Sequence, residues 1–566
     1  MSARRTRRGR SILAALVSGV AVVLMSACAG LPTAGPVYPG LEVGEETGDP
    51  DFAFLPDRPQ PGATPEQIVD GFLRAGSGTF DGWETAKLFL TTAFRDEWDP
   101  EAGVTIDAPG SRVFQSGADD AVSVTILGEA TVDESGAYEP LATDSTTLSF
   151  ALEQEDGEWR ISDAADGIVL DRSLFPTVFH RYPLMFFDPT WQYLVPDVRW
   201  FPTTNAAARI SLALIDGEPS PWLAESVENS FPDAVSLRSP TVPVSGGVAQ
   251  VNLGPGAIGL EQTTLDRMQT QLSASLEAAS AQSVEMTVGT APLEASVVET
   301  RSTRITGPPL VVVDGELGFA TGEQLTPIPG LTDAVAQLNP AAVSIQVSAE
   351  RDAAAARLAD GTVARVGADG TIALLDERAG LVDPSIDPFG YIWSVPERDP
   401  TGLTASSPGS VAVAVSDAWP GATDITAMAV SRDGTRLVAV TRSGDRELLS
   451  IAGIIRDDSG APVRVGEPLA LGTLAGVGRG VAWLDDVTVG VLTASGDDRE
   501  VVEQTVGGAQ ATTAAPAGAV SISGSTSAAT LRLLGADGVV SVKRGATWQE
   551  PVDEVEVLAT QQGSPE

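Results

Sequence analysis

Histidine and cysteine occur once each in this 566-residue chain, at His180 and Cys28, and lysine only twice, at Lys87 and Lys543. Each scarcity excludes some chemistry. One histidine cannot supply a histidine-rich metal site. A Ser–His–Asp or Cys–His nucleophilic system would have to be built on His180 alone. Neither lysine follows a glycine, so there is no P-loop. Basic residues are few overall, 35 Lys and Arg against 76 Asp and Glu, for a net charge of −41. So acidic a surface repels phosphate backbones and anionic lipid head groups alike. No nucleic-acid partner is expected, and membrane attachment needs something other than a basic patch. Runs of 18 or more apolar residues are also missing, so nothing reads as a spanning helix.

What is present begins with a leader. RRTRRGR is a basic n-region, and Ile12 to Met25 is an apolar run of about 14 residues, the length of a signal h-region. Ser26 and Ala27 then place small residues directly before Cys28. This pattern resembles a bacterial lipobox, with Met25 where leucine is usual. The resemblance implies cleavage between Ala27 and Cys28, an S-diacylglycerol on the thiol and an N-acyl chain such as palmitate. The alternative is an ordinary secretory signal with an incidental cysteine. The absence of a second cysteine favours the lipid, because one free thiol in an exported protein invites intermolecular pairing. Two or more acyl chains would hold the protein on the outer face of the cell membrane. Residues 28–62 carry the lipidated cysteine and a tether rich in Pro and Gly, which at ~3.1 Å per residue in polyproline form reaches up to about 100 Å.

Residues 63–170 read as an α+β unit. Thr64 caps a helix, with Pro65 at its first position and Gln67 completing a capping box. A second helix is expected from Trp83 to Phe94. The period then changes to two through VSVTILGEATV, TLSFALEQ and GEWRISDA. The order resembles an NTF2-like cone, without the histidine that catalytic members carry there. Residues 171–202 form an aromatic-rich connector, LFPTVFHRYPLMFFDPTWQYLVPDVRWFP from Leu174. Phe186, Phe187, Trp191, Tyr193, Trp200 and Phe201 are candidates for a partner surface. A packed interface between neighbouring units is the alternative.

Residues 203–293 read as a second α/β unit, opening on ARISLALIDG as a strand and on a short helix from Ser220. A longer helix carrying Leu265, Met268, Leu272 and Leu276 follows. The GxGxxG match at Gly254–Gly259 is discounted as a dinucleotide site, because Pro255 removes an amide and the helix starts several residues late, near Thr264. The segment resembles the GerMN domain. Residues 294–566 are short strands with weak repeats anchored near 341, 384, 428, 480 and 519, spaced by about 40–50 residues as in propeller blades. LVVVDGELGFA supplies another blade, and six or seven blades fit the length. Two β-sandwiches are the alternative.

The expected fold class is therefore multidomain: two α+β modules, NTF2-like and GerMN-like, followed by an all-β propeller. With the leader and the stretches CAGLPTAGPV, PEQIVDGFL and LMFFDPTWQYLVPDVRWFP, the chain resembles the actinobacterial LpqB lipoprotein family. That resemblance implies an accessory protein outside the membrane, touching the sensor kinase of an MtrA–MtrB type two-component pair and affecting cell division and envelope homeostasis. No catalytic residue, metal or cofactor is expected. The runner-up is cell-wall carbohydrate binding or hydrolysis through the propeller face, with Asp383 and Asp387 as a conceivable carboxylate pair. Sparse aromatics after residue 294 count against it.

Overall fold

A computed structural model describes residues 56–565 apart from 118, 119, 142–144, 323 and 546. The leader, Ala27, Cys28 and most of the tether lie outside the described residues. No described helix is long and apolar enough to cross a membrane.

The first helix, Pro65–Ala75, starts as its capping box dictates. Thr64 Oγ1 accepts from the Gln67 amide and Gln67 Oε1 accepts from the Thr64 amide, satisfying two orphan donors reciprocally. Its apolar face buries Ile68, Val69, Phe72 and Leu73. The face lies on a curved sheet of strands Gly103–Asp107, Ala121–Asp133, Ser145–Glu155, Glu158–Asp163 and Ile168–Asp171. Strand Ala121–Asp133 alternates buried and half-buried residues along almost its whole length, the period-two pattern of a sheet with one face on the core. The second helix is shorter than the sequence predicts, ending after Glu84–Lys87. The chain leaves it because Phe89 and Thr91 hydrogen-bond the backbone of Ile161, which draws Leu90 into a bridge with the sheet edge.

The aromatic connector is an antiparallel hairpin of strands Phe179–Phe187 and Leu194–Pro202. From Val195 onward every residue of the second strand is buried, so the strand is covered on both faces. In the next unit ARISLALI is a helix, Ala206–Ile215, and not a strand. Three successive alanines favour helix, and Ile210 and Leu214 fall on one buried face at i, i+4. The helix expected from Ser220 is reduced to one 3-10 turn, Ala224–Ser226, because Ser220 turns its amide and hydroxyl onto buried Asp197 at 2.8 and 2.7 Å. Helix Gln262–Leu276 packs on a small sheet whose central strands, Val248–Leu253 and Ser283–Val288, run parallel.

The remaining strands form six blades around a common axis. Their innermost strands are Val557–Gln561, Ala342–Val347, Ser385–Ile386, Asp424–Val430, Val477–Trp483 and Ala519–Ser523. The repeat anchors near 341, 384, 428, 480 and 519 supply five of them, and LVVVDGELGFA supplies two outer strands of the sixth blade. Ring closure joins the ends of the propeller sequence: Val557–Gln561 pairs antiparallel with Leu310–Val313 and parallel with Ala342–Val347. The structure is a propeller, so the two-sandwich alternative does not hold.

Candidate functional site in the propeller channel

The aromatic hairpin is interior. Phe186, Phe187, Tyr193, Trp200 and Phe201 are buried, and Trp191 is half-buried beneath Arg267, whose guanidinium lies 3.7 Å from its ring centroid. The expectation that these six side chains form a partner surface is therefore corrected for the five buried ones. Tyr182, Leu184, Phe186, Val195 and Phe201 join the core of the second α/β unit. Trp200 faces the other way: its amide donates to Gly136 O, its ring packs 4.8 Å from Phe175, and its indole N–H donates to Gly507 O of the propeller at 2.7 Å. Tyr193 meets Phe389 edge-on. The hairpin thus binds all three folded parts together. Its charged pair is buried too: Asp197 accepts from Arg199 and from Ser220, while Arg199 also donates to the hydroxyl and carbonyl of Ser135.

The other residues singled out by sequence part company. Asp383 is exposed and paired with Arg357 at 2.7 Å. Asp387 is buried, accepting from the amides of Phe389 and Tyr391, the Trp393 indole and Arg456. A carboxylate tied by four donors is a structural pin, so the Asp383–Asp387 pair considered for hydrolysis does not form. Two glycines of the GxGxxG match, Gly254 and Gly256, serve close packing, whereas Gly259 faces open space in a positive-φ turn. A Cβ on Gly256 would stand 1.7 Å from Ala234 O, and one on Gly254 2.8 Å from Ser236 Oγ. The helix after them begins at Gln262. Gly256→Ala is expected to destabilise the protein by about 1–3 kcal/mol, since backbone must move to admit the methyl; thermal denaturation checks this, and an unchanged midpoint would contradict it.

A cavity of about 340 Å³ is the propeller's central channel. Polar residues alternate with apolar ones along the innermost strands: Ser344 and Gln346 with Val343 and Ile345, Ser521 with Val520 and Ile522, Gln561 beyond Leu558. At the C-terminal ends of these strands the segment leading into the propeller packs against the channel. Ile305, from the segment leading into the propeller, is buried there, and Thr306 is held by Ser564. Arg432 donates to Trp483 O at 2.7 Å and to Thr303 O at 3.4 Å, and Gln562 donates to Ser431 O. Burial pushes the Arg432 guanidinium below its ordinary pKa, against the smaller pull of Asp485 and Asp486.

Midway, Gln346 Oε1 accepts from Ser385 Oγ at 2.8 Å and from the Ile386 amide at 2.6 Å, and Gln346 Nε2 reaches Gln562. Ser385 Oγ in turn accepts from the Val430 amide. This chain of bonds locks three successive blades and leaves the wall preorganised. The other end opens among Arg357, Asp383, Arg479 and Glu556, with Val343 and Val520 exposed at the rim. Among the described residues no cluster of three His, Cys, Asp or Glu side chains is placed to hold a metal. Sequence reasoning missed Gln346, Arg432, Ser521 and Gln561. The available signal was the polar residue recurring at alternate positions within otherwise apolar repeat anchors.

Three family profiles tile the described chain. The Lipoprotein LpqB N-terminal domain matches residues 58–176, the Germane sporulation and spore germination module 183–294, and the Lipoprotein LpqB beta-propeller domain 315–559. The chain belongs to the LpqB lipoprotein family. Lipoprotein LpqB of Streptomyces avermitilis is 26% identical over 98% of this chain and 99% of its own length. That of Cutibacterium acnes is 26% identical over 79% of each chain, and that of Rhodococcus opacus 30% identical over 60% of this chain and 53% of its own. Among solved structures, TolB from Acinetobacter baumannii aligns at 14% identity and a TM-score of 0.32, over 43% of this chain and 62% of that one. The LpqB propeller profile begins at residue 315, after Leu310–Val313, the strand that the C-terminal strand needs in order to close the ring.

Proposed function

We propose that the protein is a lipid-anchored, extracytoplasmic accessory protein that binds the outer domain of a two-component sensor kinase of the MtrA–MtrB type and biases its signalling, with effects on cell division and envelope homeostasis. Membership of the LpqB lipoprotein family carries this reading. The leader and Cys28 support the anchor, and the hairpin that welds three units into one body supports action by binding. A rigid body that meets one conformation of a sensor better than another shifts the equilibrium between them by its differential affinity.

Mass spectrometry of the mature N-terminus is expected to find Cys28 as the first residue, carrying the diacylglycerol thioether and an amide-linked acyl chain. Cys28→Ser is expected to leave the membrane fraction; a Cys28→Ser protein that stays there would overturn the anchor. For the regulatory part, the lipidated protein and the kinase are reconstituted in vesicles. Autophosphorylation is expected to change about fivefold or more, as a coupling free energy of ~1 kcal/mol produces. Unchanged output at saturating protein would refute the reading.

A further inference from the structure

The propeller channel has the features of a small-molecule site, and its unused groups define what would fill it. Gln561 is 5% exposed, and its Oε1 is buried without a hydrogen-bond partner in the protein. Ser521 Oγ, on the neighbouring innermost strand, is likewise buried and unpartnered. Both residues line the channel. A buried acceptor left unmade costs about 1–3 kcal/mol, so this wall calls for a ligand or water that donates hydrogen bonds. At the open end, Arg479 is exposed and has no carboxylate within ion-pair reach among the described residues, whereas Arg357 is held by Asp383. Arg479 therefore offers a cation at the mouth, with the carboxylates of Asp383 and Glu556 on the same rim.

The net charge of −41 narrows the choice. A polyanion would be repelled on approach, while a molecule with paired positive and negative ends is not. The volume, about 340 Å³, lies within the ~300–1,000 Å³ range of small-ligand pockets.

We propose that this channel binds a small zwitterion, an amino acid or short peptide, whose carboxylate pairs with Arg479 and whose ammonium or amide N–H groups donate to Gln561 Oε1 and Ser521 Oγ. The site is independent of the sensor-kinase reading, and either stands if the other fails. The intact soluble chain is titrated calorimetrically with the twenty free amino acids and with a set of dipeptides, each dipeptide also in C-terminally amidated and N-acetylated form. At least one zwitterion is expected to bind saturably, and amidation is expected to weaken it tenfold or more. Arg479→Gln, an exposed substitution that leaves the fold untouched, should weaken the same ligand tenfold or more. Gln561→Met, close in volume but without the acceptor, should weaken it while circular dichroism and melting stay near wild type. Preference for an amino acid over its dipeptides, or the reverse, identifies the source. Failure of every probe to bind at millimolar concentration would mean a channel that holds water only and would overturn the proposal. Equal binding of amidated probes, or indifference to Arg479→Gln, would overturn it as well.

Discussion

Trp200→Ala is expected to lower the stability of the whole protein by about 3–5 kcal/mol, the cost of truncating a large, packed aromatic side chain. The indole bridges the first α+β unit and the propeller. It packs on Phe175 and Tyr138 on one side and hydrogen-bonds Gly507 of the propeller on the other. Its loss removes the apolar contact and leaves the Gly507 carbonyl unpaired at an interface. Gly507 has a positive φ and sits against Val198, so the propeller loop cannot simply close onto the gap. Chemical denaturation should show a lower midpoint and, because the hairpin joins the units, a separate earlier transition for the units it releases. Trp191→Ala is the control. That ring is half-buried and holds Arg267 by a partly exposed cation–π contact, worth about 0.5–1 kcal/mol. Equal effects from the two substitutions would contradict the account of the hairpin.

Asp433→Ala should be comparably severe, and its effect should depend on pH. Asp433 and Arg436 are both about 1% exposed and meet at 2.5 Å, with the Arg436 guanidinium 4.6 Å over the Trp483 ring. Asp433 also accepts from the hydroxyls of Ser431 and Thr435 and so builds the tight turn between two strands of one blade. Two guanidinium nitrogens of Arg436, Nε and Nη1, have no protein acceptor. Removing the carboxylate strands a buried cation, for which about 3–5 kcal/mol is the usual cost. Burial pushes the Asp433 carboxyl up, but the Arg436 charge and the hydroxyl donors outweigh it and hold the carboxyl below its ordinary value. A carboxyl depressed in the folded state stabilises above its unfolded pKa of about 3.9 and loses that contribution as pH falls through the folded value. The stability gap between wild type and Asp433→Ala should thus be constant from pH 7 to 5 and narrow only below about pH 4. A gap already closing at pH 6 would contradict the assignment.

Local chemistry was legible in the sequence. The capping box at Thr64 and Gln67 fixed one helix start, and the repeat anchors marked five of six innermost strands. Where tertiary contact decides, the reading failed. ARISLALI has strand-like residues but becomes helical because its face at Ile210 and Leu214 finds a core. The second helix stops short because Leu90 finds the edge of a sheet built from residues some seventy positions later. The hairpin aromatics are as abundant as those of a binding surface, and composition alone cannot say whether another part of the same chain covers them. The channel is less legible still. Gln346, Ser521 and Gln561 come to line one channel only when Val557–Gln561 closes the ring, and no local pattern announces that pairing.

The most direct test of an anchored protein that acts by binding a sensor is crosslinking in living cells, followed by affinity recovery of the tagged, lipidated chain with Cys28→Ser in parallel. The account predicts recovery of one sensor kinase through its outer domain, lost or sharply reduced for Cys28→Ser. Recovery of cell-wall glycan with no kinase, or equal kinase recovery by the unanchored variant, would contradict it.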